Sequence, residues 1–60
     1  MKDLIGLLEE MAGLLEVAKA DARRMADGNK SAGTRVRKSM QDLKRKAQEA
    51  RGLVLDARKG

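Results

Sequence analysis

The sequence contains no cysteine, no histidine, no proline and no aromatic residue. Without cysteine or histidine the chain can form no disulfide, offers no thiolate or imidazole ligand to a metal, and cannot use either side chain in catalysis. Without aromatic rings it lacks the platforms on which single-stranded nucleic acids stack. No glycine-rich phosphate loop is present, and the hydroxyls of Ser31, Thr34 and Ser39 have no base to activate them. We therefore expect a protein that is not an enzyme and needs no cofactor or metal.

Long apolar runs are also missing. The apolar residues near Met1 are interrupted by Glu9 and Glu10, and no segment is long enough to cross a bilayer. No small-residue cleavage site follows, so we expect a cytoplasmic protein without a secretion signal, a membrane partner or a small-molecule substrate. The net charge of +5 instead makes a polyanion the expected partner.

The apolar residues that are present recur at alternating spacings of four and three, which predicts two amphipathic helices. The composition, rich in Ala, Leu, Lys, Arg and Glu, favours helices as well. Between the two segments, Gly28 suits a left-handed helix cap, and Asn29 or Ser31 suits the cap of the next helix. We predict a single domain over residues 1–60, with a helix at about 2–27, a turn at 28–29 and a helix at about 30–58. The two apolar stripes are Leu4, Leu8, Met11, Leu15, Ala18, Ala22 and Met25, and Val36, Met40, Leu43, Ala47, Ala50, Val54 and Ala57.

Two helices without any strand pattern predict an all-α fold. Because the turn is so short, the helices must run antiparallel, as a two-helix hairpin that resembles a coiled coil. We expect facing residues to have numbers that add up to 61 or 62, which sets Leu15 against Ala47 and pairs large side chains with alanine. Sixty residues bury too little surface to be comfortably stable alone, so we expect self-association. Five apolar residues outside the stripes cluster near the termini and are the expected interface of a dimeric four-helix arrangement: Ile5, Leu7, Leu14, Leu53 and Leu55.

The basic residues of the second helix form two rows. One row recurs at every seventh position, and no acidic residue of this helix lies three or four positions from any member. A neighbouring row is expected to pair within the helix, as Lys38 with Asp42 and Arg45 with Glu49. The unpaired row is either a solvated helix face or a surface for a polyanion, and self-repulsion among its cations favours the polyanion. Its members are Lys30, Arg37, Lys44, Arg51 and Arg58.

The turn and the start of the second helix, GNKSAGTRVRK at residues 28–38, resemble the conserved segment of the bacterial linker-histone-like nucleoid proteins. Outside this segment the likeness is general: an amphipathic first helix and a basic second one. The resemblance implies DNA binding and nucleoid compaction with little sequence preference, and it implies DNA contacts by Lys30, Arg35, Arg37 and Lys38. Some members carry a tail rich in Lys, Ala and Pro. This sequence has none up to Gly60, so it resembles a short tailless member, and we expect no tail-driven condensation.

Together these observations predict a histone-like protein of the nucleoid that binds duplex DNA through its phosphates and has little sequence preference. Bridging or compaction of DNA by a dimer is a further hypothesis. The alternative is a structural coiled-coil module whose basic face binds an acidic protein. An amphipathic helix on a membrane surface is less favoured, because interfacial Trp and Phe are missing. The predicted DNA-binding residues are Lys30, Ser31, Thr34, Arg35, Arg37, Lys38, Lys44, Arg45 and Arg51.

Overall fold

The computed structural model describes residues 1–59, which form two helices, α1 (Lys2–Ala26) and α2 (Lys30–Lys59). The helices pack against each other as an antiparallel hairpin that measures 50 × 15 × 10 Å. The prediction of an all-α hairpin is confirmed. Each helix begins and ends within one residue of the expected boundary, and Gly60, the end of the predicted domain, lies outside the described residues.

The turn is closed by backbone hydrogen bonds at the end of α1. The Gly28 amide donates to the Met25 carbonyl and the Asn29 amide donates to the Arg24 carbonyl, each at 3.0 Å. This bonding pattern is a Schellman motif, which requires a left-handed residue directly after the helix cap. Gly28 has φ 102°, a conformation that glycine adopts without steric cost. The sequence-based assignment of Gly28 to a left-handed cap agrees with this geometry.

Asn29 caps the start of α2. Its Oδ1 accepts a hydrogen bond from the Ala32 amide at 3.3 Å, the bond expected of an N-cap side chain. The same oxygen accepts a bond from the Ser31 hydroxyl at 2.8 Å. Of the two residues that the sequence suggested as the cap, Asn29 therefore performs the role, and Ser31 supports it.

The seam between the helices is rotated relative to the predicted one. Buried residues are Leu7, Ala18, Asp21, Ala32 and Ser39. Predicted seam residues such as Leu8 and Leu15 are 49% and 52% exposed. The apolar arc of α1 is wide enough for either stripe to face α2, so apolar spacing alone could not choose between them. Also exposed, contrary to expectation, are Ala22, Met25, Met40, Val54 and Ala57.

The register differs as well. The ion pair between Glu10 and Lys46 and the approach of Met25 to Gly33 set residues opposite one another whose numbers add up to 56 and 58. The expected value of 61 or 62 is wrong by about one helical turn. Because α1 ends at Ala26 and α2 begins at Lys30, the turn itself fixes the lower value.

The rotation places three residues of the predicted oligomer interface inside the hairpin. Leu7 is only 5% exposed, and Leu14 and Leu53 are half-buried. The expectation that these three lie outside the seam is wrong, because the seam follows Leu7 and Leu14 rather than Leu8 and Leu15. Ile5 and Leu55 are exposed at 54% and 56%.

Candidate nucleic-acid interface

The heptad row of cations on α2 is exposed along the whole helix. None of its five members forms an ion pair with any carboxylate in residues 1–59. Thirty helical residues span about 45 Å at 1.5 Å per residue, so the row presents unpaired positive charge over almost the length of the hairpin. We call these residues the basic row: Lys30, Arg37, Lys44, Arg51 and Arg58.

Other cations of α2 are held by carboxylates. Arg45 contacts Asp42 at 3.0 Å, and Lys46 reaches across the seam to Glu10 at 2.9 Å. The Glu10 carboxylate raises the pKa of the Lys46 ammonium above its ordinary value. The expected pairs of Arg45 with Glu49 and of Lys38 with Asp42 do not form. Since Arg45 takes Asp42, Lys38 has no ion-pair partner within the described chain.

Arg35, a predicted DNA contact, is bound to a buried carboxylate. Its Nε donates to Asp21 Oδ1 at 3.0 Å, and Arg24 Nη1 donates to the same oxygen at 2.9 Å. The Asp21 side chain is 3% exposed, whereas that of Arg35 is 49% exposed. The hydrogen bond from Arg35 lowers the pKa of Asp21 below its ordinary value, against the opposing effect of burial and with the help of Arg24. The structure thus fixes Arg35 at the turn end and leaves half of its surface open.

The start of α2 combines positive charge with the exposed first turn of a helix. Lys30 and Ser31 are both exposed there. A helix start carries a partial positive charge and suits an anion. The Ser31 hydroxyl proton, however, is donated to Asn29, so that hydroxyl must rotate away from the cap before it can donate elsewhere.

The outer surface of α2 contains a shallow hollow of 230 Å³. Predicted residues Thr34, Arg37 and Lys38 line it, together with Gln41, which the predicted site did not include. Spacings of three, four and seven place all four on one face of the helix. That spacing was visible in the sequence.

Farther along α2, the basic row borders an apolar groove at the open end of the hairpin, where the termini lie. The groove has a volume of 370 Å³. Lys44 is exposed, and Arg51 forms part of the groove's edge. The sequence predicted an apolar interface at this end that includes Leu55, but it placed Leu8 and Val54 in the seam. We call it the apolar groove, lined by Leu4, Leu8, Ala50, Arg51, Val54 and Leu55.

No cluster of acidic side chains able to hold a metal ion occurs within residues 1–59. Neither α1 nor α2, over the part that the structure describes, has the length and apolar character needed to span a membrane.

A family model described as histone H1-like protein Hc1 matches residues 5–60, nearly the whole chain. No curated protein and no solved structure shows significant similarity to the chain.

Proposed function

The chain belongs to the histone H1-like protein family, and from this premise we propose that it binds duplex DNA through the phosphate backbone, with little sequence preference, as a protein of the nucleoid. Members of this family are DNA-binding structural proteins and not enzymes. The observation that carries the proposal for this chain is the basic row. Within residues 1–59 its cations form no ion pair, although the chain contains nine acidic residues.

The charge arrangement supports phosphate contact rather than base recognition. Unpaired cations repel one another, and a phosphate backbone relieves that repulsion while it releases its counterions. Reading bases requires an Arg or Lys fixed against base edges, and no side chain of the basic row is fixed by a hydrogen bond within residues 1–59. The affinity should therefore depend on salt and hardly on sequence.

A gel-shift titration with random-sequence duplex tests this proposal. If about five phosphates are neutralised, the logarithm of affinity should fall against the logarithm of salt concentration with a slope of about 4.5. Replacing Arg37, Lys44 and Arg51 with Gln should weaken binding to every duplex by a similar factor and lower the slope by about 2.7. A salt-independent affinity, or a loss confined to some sequences, would contradict the phosphate mechanism.

A matched control removes the same charge from cations that are already paired. The triple variant K19Q/R45Q/K46Q also lowers the net charge by three, but each of these residues is in an ion pair. We expect it to retain more affinity than the variant of the basic row. Equal losses would mean that only total charge matters.

Binding of the wild type to polyglutamate in preference to duplex would favour the alternative, an acidic protein partner.

We further propose that the hairpin dimerises through the apolar groove. Leu7 is the only large aliphatic side chain that is buried within residues 1–59, and burying one such side chain is worth only about 1.5–3 kcal/mol. A folded hairpin therefore needs more apolar contact. Every folded copy of the chain exposes the same apolar groove, so a second copy is a partner that is always available to cover it.

A dimer formed at the open end would leave the two turn ends free to engage separate stretches of DNA. This arrangement would link duplexes by bivalency. The variant Leu8→Gln should bind one duplex, because DNA that binds only the folded hairpin stabilises it by mass action, but should fail to capture a second, labelled duplex on beads that carry the first. Val17→Gln is the control, because Val17 is 55% exposed but lies on the opposite side of α1. Retained linking by Leu8→Gln, or a wild type that is monomeric at micromolar concentration, would contradict the dimer.

A further inference from the structure

The hollow on the outer surface of α2 has the composition of an anion site. Its four side chains are all exposed, and it is formed within one helix, on the surface turned away from α1. Two of the four are cations, and the other two carry neutral groups that can donate a hydrogen bond. Neither Thr34 nor Gln41 makes a side-chain hydrogen bond within residues 1–59, so both are available to a ligand.

The cations of this hollow form no ion pair within residues 1–59. Lys38 lies four residues before Asp42, a spacing that allows a salt bridge. Arg45 binds Asp42 Oδ1 at 3.0 Å instead, and Lys38 forms no ion pair within residues 1–59. Arg37 has no acidic residue at three or four positions on either side. The hollow therefore holds two cations and no carboxylate.

A second hollow on α2 provides a contrast. It has a volume of 400 Å³ and is lined by two cations and two acids, Asp42, Arg45, Lys46 and Glu49. Its formal charges cancel, and both cations are bound to carboxylates. The smaller hollow, of 230 Å³, has a net formal charge of +2. Shape does not distinguish these two surfaces as anion sites, but charge does.

We propose that the hollow formed by Thr34, Arg37, Lys38 and Gln41 holds a phosphodiester group of the DNA backbone. The two cations supply charge-assisted hydrogen bonds, and the Thr34 hydroxyl and the Gln41 amide donate neutral ones to the phosphate oxygens. The inference rests on the proposed DNA binding and deepens it. A phosphate bound in this hollow would fix the position of α2 along the duplex, and we call the hollow the phosphate anchor.

The neutral side chains give the sharpest test, because their loss changes affinity without changing charge. In gel shifts with random-sequence duplex, Thr34→Val and Gln41→Leu should each weaken binding about threefold to tenfold, the value of one hydrogen bond. The salt slope should stay at the wild-type value, since no counterion is involved. Gln48→Leu is the matched control: Gln48 is exposed, lies one heptad after Gln41 on α2 and lines neither of the two hollows.

Two variants that each remove one positive charge test the contribution of the cations. Lys38→Gln should weaken binding and lower the slope by about 0.9, whereas Lys2→Gln, with the same change of charge at the start of α1, should have a smaller effect. Circular dichroism checks the folding of each variant, and we expect helicity to be retained because the substituted positions are exposed.

The outcomes separate the two proposals. Loss of affinity in Thr34→Val and Gln41→Leu, with Gln48→Leu unchanged, supports the phosphate anchor. A wild type that binds with a steep salt slope, while both variants bind as well as it does, overturns the anchor and leaves DNA binding intact. A wild type that does not bind duplex in a salt-dependent way overturns both.

Discussion

The two ends of the hairpin are held together by different forces. At the turn end, directed polar bonds dominate: the Schellman motif at Gly28, the cap by Asn29, and the buried Asp21 carboxylate between two arginines. At the open end the termini meet through aliphatic side chains, of which Leu7 is buried while Leu8 and Leu55 remain about half exposed. Directed polar bonds thus close the turn end, whereas the open end leaves aliphatic surface exposed.

This difference corresponds to a division of charge along the chain. Residues 16–45 contain nine basic and four acidic side chains, a net charge of +5, whereas the remaining segments contain five of each. A basic end whose backbone is closed by hydrogen bonds is suited to phosphates, because its cations are presented on a preorganised backbone. An apolar end with unfilled surface is suited to association. In the proposed function the turn end binds DNA only, whereas the open end provides the dimer contact and also carries Arg51 and Arg58 of the basic row.

The largest expected effect distinguishes a buried leucine of the open end from its exposed neighbour. Leu7 and Leu8 are adjacent leucines, 5% and 49% exposed. Leu7→Ala should destabilise the hairpin by about 2–4 kcal/mol, because it leaves a cavity against α2, and should abolish helicity at every protein concentration. Leu8→Ala should retain helicity at high concentration and lose it on dilution, since it weakens the dimer. Circular dichroism over a dilution series measures both, and identical concentration profiles would contradict the division.

The next effect concerns the buried carboxylate of the turn end. Asp21→Asn replaces the carboxylate shared by Arg24 and Arg35 with a neutral amide, which weakens two charge-assisted hydrogen bonds, so it should lower the melting temperature at neutral pH. The pKa of Asp21 is lower in the folded chain than its ordinary value of 3.8. Its ionised form therefore stabilises the fold above that pH, and this contribution disappears as the pH falls through the lower, folded-state pKa.

Thermal unfolding between neutral pH and pH 2 checks this prediction. The wild type should lose stability in acid, and Asp21→Asn should lose less, because its difference from the wild type shrinks as the carboxylate is protonated. Asp42→Asn is the control, since Asp42 pairs with Arg45 within α2 and holds nothing across the seam. An Asp21→Asn variant as stable as Asp42→Asn at neutral pH would show that the buried bonds do not hold the turn end.

The sequence predicted the helices and the turn well, because local chemistry determines them. Gly28 and Asn29 have conformational and capping preferences that act within a few residues. The choice of seam could not be predicted from the same information. Leucines on α1 offer two overlapping stripes, and the observed one brings Glu10 to Lys46 and Asp21 to Arg35, pairings that only a three-dimensional register reveals.

The candidate interface divides in the same way. Unpaired charge in the basic row was predictable, because no carboxylate on α2 lies at a helical pairing distance. The state of Lys38 was not, because Asp42 lies within pairing distance of both Lys38 and Arg45 along the helix, and side-chain geometry decides which of them binds it. Arg35 likewise looked free in the sequence. Its partner Asp21 is fourteen residues away and comes into contact only when the hairpin closes.

A smaller effect tests the backbone of the turn. Gly28→Ala forces a side chain into a left-handed conformation with φ 102°, which should cost about 1 kcal/mol of unfolding free energy. No heavy atom lies within 4 Å of the added Cβ, so the cost comes from the backbone alone. Urea unfolding measures the change, and Gly6→Ala on α1, which has no such φ, is the control. Unchanged stability in Gly28→Ala would contradict the strained cap.

The smallest effect compares packing at the two ends through two helical glycines. A Cβ added at Gly52, in the open half, meets nothing within 4 Å, whereas one added at Gly33 lies 2.9 Å from Met25 Sδ. Gly52→Ala should therefore stabilise the chain by about 0.5–1 kcal/mol, since alanine loses less backbone entropy in a helix. Gly33→Ala should gain less, because the Met25 side chain must shift.

Gly33 also lies close to the start of α2, so the comparison that isolates Met25 is a double-mutant cycle. In a Met25→Ala background Gly33→Ala should be more stabilising than in the wild type. Urea unfolding at one fixed protein concentration measures all four chains of the cycle. Additive effects of Gly33→Ala and Met25→Ala would mean that the turn end is packed as loosely as the open end.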